Sequence, residues 1–233
     1  MFTLPPIEDM FTGVFISDAA LLKNKYRNIR AVLFDWDGVF NTGQKNIDGQ
    51  STFSEVDSMG VNLMRFNGYL FRKQQPIMGI VTGEHNQLAF KFARREHFHQ
   101  VYHRVAHKEL AFRHFCQQHH LQPHEVMYVF DDVLDFSAAK LAGLRFMVGR
   151  SCNPLTLEFA QQQRLVDYIT HHDGGQNAVR EVTELCLLLT NSYQKVLELR
   201  MKYAEDYKKY IGERNSIETS FYTLQGDAIV PGE

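Results

Sequence analysis

The ten residues Ala31-Val-Leu-Phe-Asp-Trp-Asp-Gly-Val-Phe40 constrain this chain more than any other stretch. Ala31 to Phe34 read as a strand buried on both faces, because the run is continuously apolar rather than alternating. Two carboxylates, Asp35 and Asp37, follow at once, with Gly38 behind them. Two acids crowded at the end of a buried strand are unfavourable unless a cation lies between them. Open α/β sheets bind ligands at the carboxyl ends of their strands, where these acids fall. Taken alone, Asp-x-Asp-Gly fits equally a strand running into an acidic turn, since acid–Gly pairs are common turn formers.

Three further stretches decide between these readings. Pro76-Ile-Met-Gly-Ile-Val-Thr82-Gly83 is a second apolar strand, ending in a hydroxyl and a glycine. Lys108 opens a helical stretch near the middle of the chain. Val126-Met-Tyr-Val-Phe130 is another strand and ends in Asp131-Asp132, with Asp135 beyond. Three strand ends of this kind, with one lysine, compose a phosphate site around a divalent metal.

The order of the remaining pieces gives the fold class. Strands near 31–35, 76–81, 101–102, 126–130, 144–148 and 166–170 alternate with helices near 56–73, 86–95, 108–119 and 136–141. That alternation means βαβ units, right-handed crossovers and a parallel sheet in a single α/β domain. Residues 41–55 hold Gly43, Asn46, Asp48 and Gly49 between short extended pieces and suggest a β-hairpin flap. The intervals from Asp37 to Thr82 and from Lys108 to Asp131 are too short for a large cap domain. The site should therefore open to solvent unless another subunit covers it. After Gly174-Gly175 one apolar stripe runs through Val179, Val182, Leu185, Leu189, Val196 and Leu199, the pattern of a long helix. The tyrosine-rich stretch 201–210 suits a solvated or subunit-contacting helix. Residues 1–28 hold a short helix beginning near Ser17 and should pack on the sheet edge or a neighbour.

Composition excludes several classes. A formal net charge of −2 gives no support for nucleic-acid binding. No run of eighteen apolar residues suggests a membrane span, and no basic segment leads an apolar one as in a secretory signal. Cys116, Cys152 and Cys186 are odd in number and widely spaced, so they read as small core residues in a reducing, cytoplasmic compartment. The histidines, His119-His120 and His171-His172 among them, form no zinc-ligand pattern and read mostly as solvated surface.

With Asp35-Trp-Asp37, Thr82-Gly83, Lys108 and Asp131-Asp132 in this order, the chain resembles the haloacid dehalogenase (HAD) superfamily of phosphotransferases. Within it, the chain is similar to the small-cap (C0) branch that contains 3-deoxy-D-manno-octulosonate 8-phosphate phosphatase. Gly38-Val39, Val56-Asp57-Ser58-Met59-Gly60-Val61 and Gly174-Gly175-Gln-Asn-Ala-Val-Arg-Glu-Val182 match motifs of that branch. The resemblance covers about residues 30–190, leaving an N-terminal extension, 1–28, and a C-terminal helical tail, 195–233.

The resemblance implies a Rossmann-like core and Mg²⁺-dependent hydrolysis of a small phosphorylated sugar or sugar acid through an aspartyl-phosphate. It casts Asp35 as nucleophile and Asp37 as general acid and base, with Thr82, Gly83 and Lys108 on the phosphate. Asp35, Asp37 and Asp131 are then the metal ligands, with Asp132 and Asp135 orienting them, and Asp57 and Ser58 are expected at the substrate. A homotetramer is implied as well. The sequence departs from the branch where arginine is expected before Asp57 (Val56), where glycine follows it (Ser58), and where arginine follows Thr-Gly (Glu84). Phe130 replaces the glycine that usually precedes the acid pair. These changes bear on the substrate rather than the phosphate. They leave open a catalytically retired fold kept for binding or assembly. A phosphomutase normally needs a closing cap, which is not found.

Overall fold

The apolar run at 31–34 lies at the centre of the sheet, as a strand buried on both faces must. A computed structural model describes residues 5–232, so the outermost residues of the two terminal extensions lie outside it. The extension forms α1 (Ile7–Met10), β1 (Val14–Phe15) and α2 (Ala19–Asn28), the last capped by the Asp18 carboxylate, which accepts from the Leu21 N–H at 2.7 Å. Then follow β2 (Ala31–Asp35), α3 (Glu55–Arg72), β3 (Ile77–Val81), α4 (Gln87–Arg95), β4 (Gln100–His103) and α5 (Lys108–Gln118). The second half runs β5 (Val126–Phe130), α6 (Phe136–Ala139), β6 (Leu144–Met147), α7 (Pro154–Gln162), β7 (Tyr168–Ile169) and α8 (Ala178–Leu189). The tail holds α9 (Tyr193–Met201), α10 (Glu205–Asn215) and a hairpin of β8 (Ser220–Gln225) and β9 (Ala228–Pro231).

Among the described residues the sheet has nine strands in the order β1-β7-β6-β5-β2-β3-β4-β8-β9. All neighbours are parallel except β1 with β7 and β8 with β9 at the two ends. From β2 the chain winds outward through β3 and β4, then crosses back to β5 and winds the other way. The reversal falls between β2 and β5, where an open sheet leaves a crevice at its carboxyl edge. Along β2, Val32 and Phe34 face the core under α2, α3 and α8, while Ala31 and Leu33 face the core under α5 and α6.

Four expectations need correction. Residues 41–55 form no β-hairpin. The Asn46 side chain accepts from the N–H groups of Asp48 (3.0 Å) and Gln50 (2.9 Å), so side-chain turns replace cross-strand pairing. The stripe from Val179 to Leu199 is two helices, broken at Thr190–Ser192 where Asn191 is left-handed (φ 55°). The tail is not wholly helical. Its hairpin sets β8 beside β4 and covers what would otherwise be an open sheet edge. Nor is stretch 201–210 merely solvated, because Tyr207 and Tyr210 are buried against Phe66 of α3.

Two smaller readings also change. Cys116 and Cys186 are buried, but Cys152 is exposed. His103 is buried, and burial pushes the His99 imidazole down to about 3 while its Nδ1 accepts from the Met78 N–H at 3.0 Å. No helix among the described residues is long and apolar enough to cross a membrane.

Candidate active site

The register of the central strands assembles the site. Asp35 stands level with Val81 of β3, and Phe34 level with Val129 of β5. Thr82 and Asp131, one residue past these strands, therefore leave the sheet at the same height as Asp35 and Asp37. Together with Gly83, Lys108, Asp132 and Asp135 they line a cavity of about 270 Å³. A larger cavity of about 610 Å³ lies along α4, around His85, Phe90 and Lys91, but it contains no carboxylate.

Lys108 is the electrostatic centre. Its Nζ lies 2.7 Å from Asp35 Oδ1 and 2.7 Å from Asp135 Oδ1, in an almost fully buried position. Burial alone would pull the ammonium's pKa down. The charges of Asp35 and Asp135 override it and hold the group above its ordinary value. The Tyr128 hydroxyl also donates to Asp135 Oδ1.

Burial pushes the Asp35 carboxyl well above the usual carboxylate range. Lys108 opposes that rise, while Asp135 and Asp131 add to it. Asp131 is pushed up to about 6, first by burial and then by Asp135, with Arg150 pulling the other way. Ligand oxygens of Asp35, Asp131 and Asp135 all lie within 4.8 Å of one another. Asp135 is engaged by Lys108 and Tyr128, whereas Asp35 and Asp131 each keep an oxygen beyond their ion-pair partner. A hard dication at these two carboxylates would offset the burial and, after it, the neighbouring charges that raise their pKa values, so the donor set fits Mg²⁺.

Asp37 is held from a different direction. Trp36 is buried, and its indole Nε1 donates to Ser51 Oγ at 3.1 Å. Asn86, the N-cap of α4, donates to the same hydroxyl at 2.6 Å, and Ser51 in turn donates to Asp37 Oδ1 at 2.6 Å. Lys45, from the flap segment, reaches Asp37 Oδ2 at 3.3 Å. The loop itself turns at Gly38 (φ 83°), and Asn41 closes it by accepting from the N–H groups of Gly38 and Gly43. Asp132 lines the cavity, and its Oδ1 accepts from the Val133 N–H at 2.7 Å.

Asp57 and Ser58 do not join this cavity. Asp57 is buried in the first turn of α3 and accepts from the Arg180 N–H, at the start of α8, at 2.8 Å. Burial pushes its carboxyl up to about 6. Ser58 donates to Glu96 at 2.9 Å and accepts from Arg95 at 2.8 Å. The two helices touch here because a side chain at Gly60 would collide with Thr183, its Cβ only 2.4 Å from the hydroxyl. These residues join α3 to α8 and α4. Sequence reasoning missed Lys45, Ser51, Asn86, Tyr128 and Arg150, none of which adjoins a strand-end acid in the sequence. Glu84 lines the mouth, whereas Arg94 and Arg95 face other partners.

No family model matches the chain. It is 30% identical over 167 residues to the 3-deoxy-D-manno-octulosonate 8-phosphate phosphatase KdsC of Yersinia pestis, covering 69% of this chain and 81% of that one. A HAD superfamily (subfamily III A) hydrolase from Legionella pneumophila superposes with a TM-score of 0.66 at 25% identity, over 78% of this chain and 95% of that one. The 3-deoxy-D-manno-octulosonate 8-phosphate phosphatase of Moraxella catarrhalis, solved with magnesium, phosphate and KDO, superposes with a TM-score of 0.64 at 25% identity. That match covers 76% of this chain and 96% of the other.

Proposed function

Because the chain belongs to the HAD-superfamily family of 3-deoxy-D-manno-octulosonate 8-phosphate phosphatases, we propose that it is a Mg²⁺-dependent phosphatase of a small phosphorylated sugar or sugar acid, working through an aspartyl-phosphate at Asp35. The observation that carries this reading is Lys108, buried between Asp35 and Asp135 beside Asp131 at the point where the strand order reverses.

An Asp35 carboxylate oxygen attacks phosphorus, and the bond from phosphorus to the leaving sugar oxygen breaks. Asp37 gives that oxygen a proton, then takes one from the water that attacks the acyl phosphate and frees Asp35. Ser51 and Lys45 fix the Asp37 carboxyl between them. Thr82 Oγ1, the Gly83 N–H and Lys108 serve the equatorial phosphate oxygens, where negative charge must be offset. The carboxylates of Asp35 and Asp131, with the Asp37 backbone carbonyl, would hold Mg²⁺. The ion supplies positive charge that lets an anionic nucleophile approach a phosphate dianion. Asp135 holds Lys108 in place, and Asp132 shapes the turn behind Asp131.

The competing reading, a retired fold kept for binding or assembly, has less support. Buried carboxylates and a buried lysine cost stability, and a chain with no catalytic use for them gains by replacing them with apolar residues. For substrate, Val56 and Glu84 leave positions without the arginines of the branch, and the cations at this mouth are Lys45 and Arg150 instead. The open mouth, with no cap between the motifs, supports a covering neighbour and so a homo-oligomer; a tetramer follows the resembling branch, and the cytoplasm follows the cysteine usage. Light scattering that returned a monomer would remove the assembly part.

The direct test is phosphate release from a phosphosugar panel, with and without Mg²⁺, for the native chain and Asp35→Asn. Metal-dependent release that this near-isosteric change abolishes is the expected result. Turnover that survives in Asp35→Asn would refute the nucleophile. Failure across the panel, with no binding of beryllium fluoride in the presence of Mg²⁺, would refute the phosphatase.

A further inference from the structure

Arg150 follows β6 and enters the catalytic cavity from a part of the sequence that carries none of the motifs. Its Nη2 lies 2.7 Å from Asp131 Oδ2. The guanidinium rests against the catalytic loop, since a Cβ built at Gly38 would fall 2.0 Å from the same nitrogen. Lys108 thus pairs with Asp35 and Asp135, while Arg150 pairs with Asp131. The guanidinium is the more accessible of the two cations, with its side chain 22% exposed against 4% for Lys108. It cannot neutralise itself by losing a proton at any ordinary pH.

We propose that Arg150 is a positioning residue that sets the balance between metal and phosphate binding. It holds Asp131, weakens the binding of Mg²⁺, and strengthens the binding of a phosphate dianion. This rests on the reading of the site as a Mg²⁺ phosphatase. Formal charge carries the argument. Three central carboxylates and two cations leave the empty site at −1. Mg²⁺ alone takes it to +1, and a phosphate dianion returns it to −1. Without Arg150 the same three states are −2, 0 and −2. The arginine therefore makes the first event harder and the second easier. The Asp37–Lys45 pair, Asp132 and Glu84 also line the cavity and contribute equally with and without it. Both steps carry the same two charges with and without Arg150, so it shifts each affinity and leaves the mutual effect of Mg²⁺ and phosphate, which linkage makes reciprocal, unchanged.

The test is calorimetric titration of Mg²⁺ into the full chain, alone and with saturating inorganic phosphate, for the native protein, Arg150→Gln and Arg150→Lys. In the native protein, phosphate should tighten Mg²⁺ binding by about tenfold or more, the scale of one unit charge acting across a partly solvated site. With or without phosphate, Arg150→Gln should bind Mg²⁺ roughly tenfold more tightly than the native chain, and inorganic phosphate titrated into the Mg²⁺-loaded protein should bind roughly tenfold more weakly, while Arg150→Lys stays near native. Unchanged or weaker Mg²⁺ binding in an Arg150→Gln protein that melts like the native one would overturn the proposal. Unchanged or tighter phosphate binding in that protein would do the same. If Arg150→Gln fails to fold, Arg150→Lys decides: it keeps the charge, so a Mg²⁺ or phosphate affinity moved roughly tenfold from the native value also overturns the proposal. Each of these failures leaves the phosphatase standing if Asp35-dependent turnover persists. A native chain that binds no Mg²⁺ under either condition brings down both.

Discussion

Replacing Lys108 by methionine roughly keeps the length of the side chain and removes its charge. The native ammonium is buried with two carboxylates at 2.7 Å. Its loss leaves Asp35 and Asp135 facing each other in a low-dielectric site, with the Tyr128 hydroxyl and the Asp132 N–H still donating to Asp135. Breaking a buried ion pair by removing one partner costs about 3–5 kcal/mol, because the surviving charge stays buried. The pH dependence follows from Asp35. Burial raises its pKa, and Lys108 is the largest opposing influence, so the substitution raises it further. A carboxyl whose folded pKa lies above its unfolded value holds more protons in the native state, so stability falls as pH rises between the two values. Lys108 itself stays charged throughout that range, its pKa being raised. The deficit of the variant should therefore be small near pH ~4, the unfolded carboxyl range, and grow as pH rises toward ~8. Urea unfolding can follow the fluorescence of Trp36, the chain's single tryptophan, which is buried and stands between Asp35 and Asp37 in the sequence. Added Mg²⁺ should recover part of the loss, but phosphate release should still fall by about a hundredfold or more. An unfolding midpoint unchanged at pH 8, or a deficit equal at both pH values, would refute the reasoning.

Two further perturbations probe the support of the site and of the sheet. Ser51→Ala strands the Trp36 indole N–H and the Asn86 amide, for about 1–3 kcal/mol. It also frees Asp37, so kcat should fall about tenfold to a hundredfold with little change in KM; kinetics beside a melting curve separate the two effects. Deleting residues 216–233 uncovers the β4 edge and removes the partners of Phe90 and Tyr102, which pack on Phe221 and Tyr222. A lower melting temperature and aggregation in light scattering are expected, and a monodisperse truncated chain that melts like the full one would contradict the role given to the hairpin.

The sheet's centre was legible because its signals are local. Each buried strand is a continuous apolar run, and each ends in the residue that the site uses. What escaped was set by neighbours distant in sequence. The apolar stripe continues from Leu189 to Val196 because α8 and α9 both pack on α3, so periodicity carried no trace of the break at Asn191. Tyr207 and Tyr210 look like surface in a charged segment, yet their hydroxyls reach Asn62 inside the molecule (3.0 and 3.3 Å), which lets a polar-looking helix bury its aromatic face. The hairpin was signalled by two extended runs around Gly226-Asp227, but those runs become part of the sheet only because β4 offers an unpaired edge.

The site divides along the same line. Asp35, Thr82 and Asp131 could be read from sequence because strand register alone brings them to one height. Ser51, Asn86, Tyr128 and Arg150 could not, since each acts on a strand-end acid or its lysine across a fold that the sequence does not spell out. Asp57 is the instructive opposite. It stands in a motif shared with the branch, and its carboxylate, raised to about 6 by burial, invites a chemical role. Its position gives another reason for the residue. A carboxylate within the first turn of α3 that also accepts the Arg180 N–H at the start of α8 serves two helix N-termini at once. Gly60 lets the same helices touch. A short motif therefore marks either the chemistry or the crossing that holds the chemistry in place. Only the distance from Asp57 to the cavity, and not its residue type, tells the two apart.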